Sequence, residues 1–154
     1  MERITYGEYP DGLMQAMRTV QAYIDNAGLD PRLLELMCTR VSQINGCAYC
    51  LDMHYKDAVA EGEDPLRLIS LPAWRETSYY SPVERAVLAF AERLTRMPEE
   101  DDGEGLHDAL LEHFSKQQIA VISLAVAQIN SWNRLMKSFN PVAGNYVAGS
   151  KKKR

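Results

Sequence analysis

The chain has 154 residues, 46% of them apolar and 25% charged, the balance expected of a globule with one hydrophobic core. Its formal charge is −4, yet Lys151 to Arg154 are all basic, and the other 13 Lys and Arg face 21 Asp and Glu, leaving about −8 on the body. So acidic a body argues against a broad phosphate-binding surface, and although the basic tail is a weak signal for a nucleic-acid or localisation patch, no nucleic-acid partner is predicted. The expected organisation is one domain over 1–150 and a solvated, disordered basic tail at 151–154.

The elements follow in chain order. A helical pattern runs over about 11–27. Asp30-Pro31 starts a second helix over about 31–44, in which Leu34, Met37, Val41 and Ile44 recur at three- and four-residue steps. Asn45-Gly46 ends it, since glycine takes the left-handed conformation that closes helices. Helices over about 47–61 and 65–70 come next. Ser81-Pro82-Val83-Glu84 forms a capping box with proline at the first helical position, opening a helix over about 81–97 whose Val83, Val87, Phe90 and Leu94 share a face. The acidic loop Glu99 to Glu104 reads as a solvated turn before a helix over about 104–113, whose N-terminus favours negative charge. Ser115 and Gln118 repeat the capping box at the start of a helix over about 115–138. Ile119 to Ile129 is apolar almost all round, which places that helix at the centre of the core or at a subunit interface. With Ser123 and Gln128 inside it, this stretch is too short and too polar to cross a bilayer, and no membrane association is predicted. No segment alternates at period two, so the predicted fold class is all-α, with about six to seven helices.

The chemistry concentrates between Glu35 and His54, where Glu35, Cys47, Cys50 and His54 are spaced as E-x11-C-x2-C-x3-H. Three cysteines, two of them three residues apart, do not make a secreted disulfide framework, and Met1 to Glu8 lack the apolar core of a secretory signal. The cytoplasm is the expected compartment, where a close pair serves metal binding or redox chemistry. On a helix over 47–61, Cys50 lies about 60° and His54 about 20° from Cys47, so all three share one stripe. An antiparallel packing of the preceding helix brings Glu35 alongside.

The helix dipole favours Cys47 as the thiolate. The imidazole favours Cys50, because His54 is its neighbour four residues on, whereas Cys47 is roughly 10 Å away along the axis. A base within reach weighs more than a screened dipole, so Cys50 is the expected attacking thiol and Cys47 its resolving partner, with Glu35 orienting His54 or relaying its proton. A thiolate of this kind attacks a peroxide, becomes a sulfenic acid and condenses with its neighbour to a disulfide, which an outside dithiol then reduces. The competing use of the same residues is a zinc site with Glu35 as fourth ligand. Structural zinc usually draws its ligand pairs from separate elements, while here three candidates crowd one stripe. Cys38 reads as a packing residue, His107 and His113 as exposed, Trp74 and Trp132 as packing anchors, Tyr49 as turned to another side of the helix, and Ser42 as a helix residue without a triad.

Glu35, the run Gln43-Ile44-Asn45-Gly46-Cys47-Ala48-Tyr49-Cys50-Leu51-Asp52-Met53-His54 and the later Ile129-Asn130-Ser131-Trp132-Asn133-Arg134 resemble the alkylhydroperoxidase AhpD-like branch of the carboxymuconolactone decarboxylase family. The resemblance implies an all-α, AhpD-like fold assembled as homo-oligomers, and cysteine-based peroxidase or disulfide reductase activity without haem, flavin or metal. It also implies a small hydroperoxide substrate and a dithiol reductant such as a lipoyl or thioredoxin-like protein. Carried over, the family's sulfenic-acid-forming cysteine is Cys50, its disulfide partner Cys47, and its proton relay Glu35 and His54. One position departs: Tyr49 stands where AhpD has a second histidine, so part of that relay is missing. Muconolactone decarboxylation, the activity that names the wider family, does not need a C-x-x-C pair. A zinc-bound or thiol-sensing oligomeric module is the non-enzymatic alternative.

Overall fold

The structure, a computed structural model, describes residues 1–99 and 103–150. The predicted basic tail at 151–154 and the middle of the acidic loop lie outside the described residues. Among those described there are seven α-helices and no strand: α1 Leu13–Asp25, α2 Pro31–Asn45, α3 Ala48–Ala60, α4 Pro65–Ser70, α5 Pro82–Arg96, α6 Glu104–Leu111 and α7 Lys116–Phe139, with 3-10 turns at Tyr6–Glu8 and Leu71–Glu76. The all-α expectation holds, and most boundaries fall within two or three residues of those predicted.

The capping chemistry sets those boundaries. The Asp30 side chain accepts from the Arg32 amide at the start of α2, and the Ser81/Glu84 and Ser115/Gln118 pairs close capping boxes on α5 and α7. At the other end of α2, Gly46 sits at φ 61° and turns the chain into α3. Cys47 differs from expectation in one respect. It is the N-cap of α3, with extended backbone, and lies outside the helix. A side-chain acceptor there satisfies an amide that has no intrahelical partner, and a cysteine sulfur performs that task here.

Three apolar clusters hold the helices together. The largest joins Ile24 of α1, Met37 and Val41 of α2, Val87 of α5, Leu110 of α6 and Ile122, Val126 and Ile129 of α7. The nearly all-round apolar character of α7 follows from its place, since it packs on α1, α2, α3, α5 and α6. A second cluster gathers Leu36, Leu68, Leu71, Trp74, Tyr80 and Leu88 where α2, α4 and α5 meet. The third contains Cys47 and Cys50 themselves, packed on Met136 and Phe139 of α7.

Between the first two clusters lies a buried charge. Glu92 of α5 accepts from Arg40 Nε at 2.7 Å, Trp74 Nε1 at 3.1 Å and Arg75 at 2.7 Å. Burial alone would raise its carboxyl pKa, but donation from Arg75, Arg40 and Trp74 outweighs this and holds it below its ordinary value. The pair fixes α2, which carries Glu35 and ends at the cysteine turn, against α5. Trp74 is thus the packing anchor expected. No helix among the described residues is long and apolar enough to cross a membrane.

Candidate active site

The two cysteines form a disulfide with their Cα atoms 5.4 Å apart, and the Cys50 amide donates to Cys47 Sγ at 3.3 Å. Each cysteine is about 1% exposed. Cys38 stands outside this bond, half-buried beside the main core cluster as a packing residue should be.

On the next turn of α3, His54 is 6% exposed, and its Nδ1 lies 2.6 Å from Glu35 Oε2 of α2. The antiparallel α2–α3 pair forced by the tight Asn45-Gly46 turn is what brings together residues nineteen apart. With a neutral imidazole and an ionised Glu35, Nδ1–H donates to the carboxylate and Nε2 carries the lone pair. That Nε2 is buried and has no hydrogen-bond partner among the described residues. A buried imidazole nitrogen without a partner is uncommon in a folded protein and calls for an explanation. Of the four predicted site residues, Cys47 and Cys50 are joined by the disulfide and Glu35 is bonded to His54, which follows Cys50 by four residues on α3.

The sequence reading missed the clamp that holds the turn leading into Cys47. Asn45 Nδ2 donates to Asn130 Oδ1 at 3.0 Å and to Asn133 Oδ1 at 2.8 Å, and Asn133 Nδ2 donates to Ser42 Oγ at 3.1 Å. Lys137 Nζ adds bonds to the Asn45 and Gly46 carbonyls at 3.1 and 3.4 Å. Ser42 thus has a structural task. The signal was available, because Asn133 continues the Ile122, Val126, Ile129 stripe of α7 where an apolar residue is expected. Tyr49 also departs from expectation: it is half-buried against the cysteine cluster, together with Trp132. His107 and His113 are exposed, as expected.

A groove of about 590 Å³ lies on α2, α3 and α4, lined by Thr39, Gln43, Leu51, Tyr55, Leu66 and Ile69 among others, and none of Glu35, Cys47, Cys50 and His54 lines it. Leu51 and Tyr55 follow Cys50 and His54 by one residue, and Thr39 lies one turn after Glu35, its hydroxyl donating to the Glu35 carbonyl at 2.8 Å. The groove is mostly apolar, and Leu66 and Ile69 on its rim are well exposed. Among the described residues no three His, Cys, Asp or Glu side chains converge as a metal site requires.

The model of the carboxymuconolactone decarboxylase family matches residues 11–93, more than half of the chain and all four site residues. The chain belongs to the carboxymuconolactone decarboxylase family. Within that family its likeness is to AhpD-like proteins. A protein of unknown function from Agrobacterium tumefaciens, provisionally named as the antioxidant defence protein AhpD, superposes with a TM-score of 0.88 at 31% identity, over 95% of this chain and 100% of that one. The uncharacterized protein YdfG of Bacillus subtilis (strain 168) is 37% identical over 134 residues, 87% of this chain and 91% of its own. An uncharacterized peroxidase-related protein from Silicibacter sp. TM1040 shares the fold, with a TM-score of 0.76 at 23% identity over 88% of this chain and 72% of that one. The likeness to the Agrobacterium and Bacillus proteins covers enough of the chain to reach α7, which lies beyond the segment covered by the family model.

Proposed function

We propose that the protein is a thiol-dependent peroxidase, or dithiol–disulfide oxidoreductase, in which Cys50 attacks, Cys47 resolves and the Glu35–His54 couple moves the proton. The observation that carries this reading is the pairing of a C-x-x-C disulfide with a buried imidazole whose Nδ1 is tied to a carboxylate and whose Nε2 is open. In the reduced protein His54 Nε2 takes the Cys50 proton, and the thiolate attacks one peroxide oxygen. The O–O bond breaks, the alcohol leaves with a proton, and Cys50 becomes a sulfenic acid. Cys47, at the N-cap of α3 with an amide donating to its sulfur, is favoured as a thiolate by the helix N-terminus. It attacks the Cys50 sulfur, water leaves, and the disulfide forms. A dithiol from outside then takes the oxidising equivalents.

The mostly apolar groove on α2, α3 and α4, which Thr39 lines one turn after Glu35, suits the organic part of a hydroperoxide. Tyr49, where AhpD has histidine, leaves Glu35 and His54 as the whole relay and predicts a slower peroxidase than AhpD.

The test is peroxide consumption with a panel of dithiol donors, including lipoylated protein and thioredoxin. Cys50→Ser abolishes turnover and disulfide formation, whereas Cys47→Ser still yields a sulfenic acid trappable by dimedone but does not turn over. Sulfenic acid appearing at Cys47 in the Cys50→Ser protein, and none at Cys50 in the other variant, would reverse the two roles. Stoichiometric zinc in freshly purified protein, released only when Cys47 and Cys50 are alkylated, would replace the redox reading altogether.

A further inference from the structure

The N-terminal residues before α1 pack on the cluster that contains the disulfide. Ile4 and Tyr9, with Leu13 at the start of α1, pack against the cluster formed by Cys47, Cys50, Met136 and Phe139, and the Tyr9 ring lies tilted on Phe139 with centroids 4.9 Å apart. This strap has no partner strand and is not part of a long helix. It is held by the end of α7: the Arg3 and Ile4 amides both donate to the Phe139 carbonyl, at 2.8 and 3.3 Å. The Arg3 guanidinium reaches the Lys137 carbonyl at 3.4 Å, and Asn140 Nδ2 donates to the Met1 carbonyl at 2.9 Å. The carbonyls of the last turn of a helix have no intrahelical donors, and the strap supplies them. Gly12, in the left-handed region at φ 83°, then turns the chain into α1.

Thiol–disulfide exchange needs a nucleophile to reach a sulfur along the S–S axis. Both cysteines are about 1% exposed, so what packs on them has to move before a nucleophile reaches a sulfur, and the strap is part of that packing. The few contacts that hold it are those of a segment that opens locally, without unfolding the core. We propose that residues 3–9 form a gate over the Cys47–Cys50 pair, hinged at Gly12, which must lift from the end of α7 before a dithiol can reduce the disulfide. In the open state a thiolate of the dithiol attacks one sulfur, the S–S bond breaks, and its electron pair leaves on the other sulfur, which is protonated. The second thiol of the reagent then displaces the mixed disulfide, so that two electrons and two protons pass to the pair. The gate selects its reductant by access, as well as by potential.

The test is cleavage of the disulfide in the full chain by dithiothreitol and by tris(2-carboxyethyl)phosphine, followed by trapping the new thiols and measuring mass. It uses no peroxide, so its result stands whether or not the chain proves to be a peroxidase. The expected wild-type rate is well below that of oxidised glutathione and levels off at high reductant, where lifting of the strap becomes limiting. Ile4→Ala and Tyr9→Ala raise the rate at least about threefold, the effect of weakening contacts of hydrogen-bond strength. Tyr23→Ala, at an exposed position on α1, leaves it unchanged. Should circular dichroism show that Tyr9→Ala loses helix, Asn140→Gly serves instead: it removes the bond to Met1 and keeps the left-handed backbone at φ 56° unstrained. Hydrogen exchange of the Arg3 and Ile4 amides is read on the same samples. A wild-type disulfide cleaved as fast as oxidised glutathione, or variants whose strap amides exchange faster while cleavage does not, would overturn the gate.

Discussion

Replacing Asn133 with alanine probes whether the turn that delivers Cys47 is held from α7. The side chain is fully buried, its Oδ1 accepts from Asn45 at 2.8 Å and its Nδ2 donates to Ser42 at 3.1 Å. Losing two such bonds costs about 1–3 kcal/mol net. Ser42, also fully buried, is left without its donor, which adds roughly 1 kcal/mol or more, while Asn45 keeps its bond to Asn130 and adds little. The expected loss is therefore about 2–4 kcal/mol, which in a domain of this size lowers Tm by roughly 5–15 °C. Urea unfolding followed by circular dichroism measures it, on oxidised and reduced protein separately. A cycle with Ser42→Ala isolates the contact: the double variant should be less destabilised than the sum of the singles, with a coupling of about 1 kcal/mol. If Asn133→Ala costs less than about 0.5 kcal/mol, or the two changes add without coupling, the clamp does not hold the turn and the reasoning fails.

Other consequences concern charge and protons. His54→Ala raises the pH at which Cys50 reacts with iodoacetamide in the reduced protein, and an unchanged profile would remove the imidazole as its base. Glu35→Gln keeps the fold but weakens the hold on the Nδ1 proton, so peroxide turnover falls about 10-fold or more while Tm moves little; equal turnover would mean that the carboxylate is not part of the relay. Because the Glu92 carboxyl has a folded pKa below its ordinary value, its contribution is complete above about pH 4.5 and is lost as pH falls through the folded value. The stability gap between wild type and Glu92→Gln, measured by urea midpoints, should thus narrow below about pH 4.5; a gap that widens would reverse the sign of the argument.

The chain by itself determined what is local. Helix starts were readable because capping is a matter of a few consecutive residues, as at Ser81-Pro82-Val83-Glu84. The same locality placed Cys50 and His54 on one helical face, since four residues span one turn. The two-residue link at Asn45-Gly46 was short enough to predict that Glu35 returns alongside His54, and the 2.6 Å contact bears that out. Tertiary structure decided everything that needs partners far apart in sequence. The clamp of Asn133 on Asn45 and Ser42, the Glu92 hub that fixes α2, and the strap of residues 3–9 on the end of α7 each join segments tens of residues apart or more. No spacing rule reports such meetings, because they depend on where α5 and α7 cross α2. Even Cys47 was settled in this way: spacing put it inside α3, whereas the left-handed turn at Gly46, clamped by α7, holds it just outside as the cap.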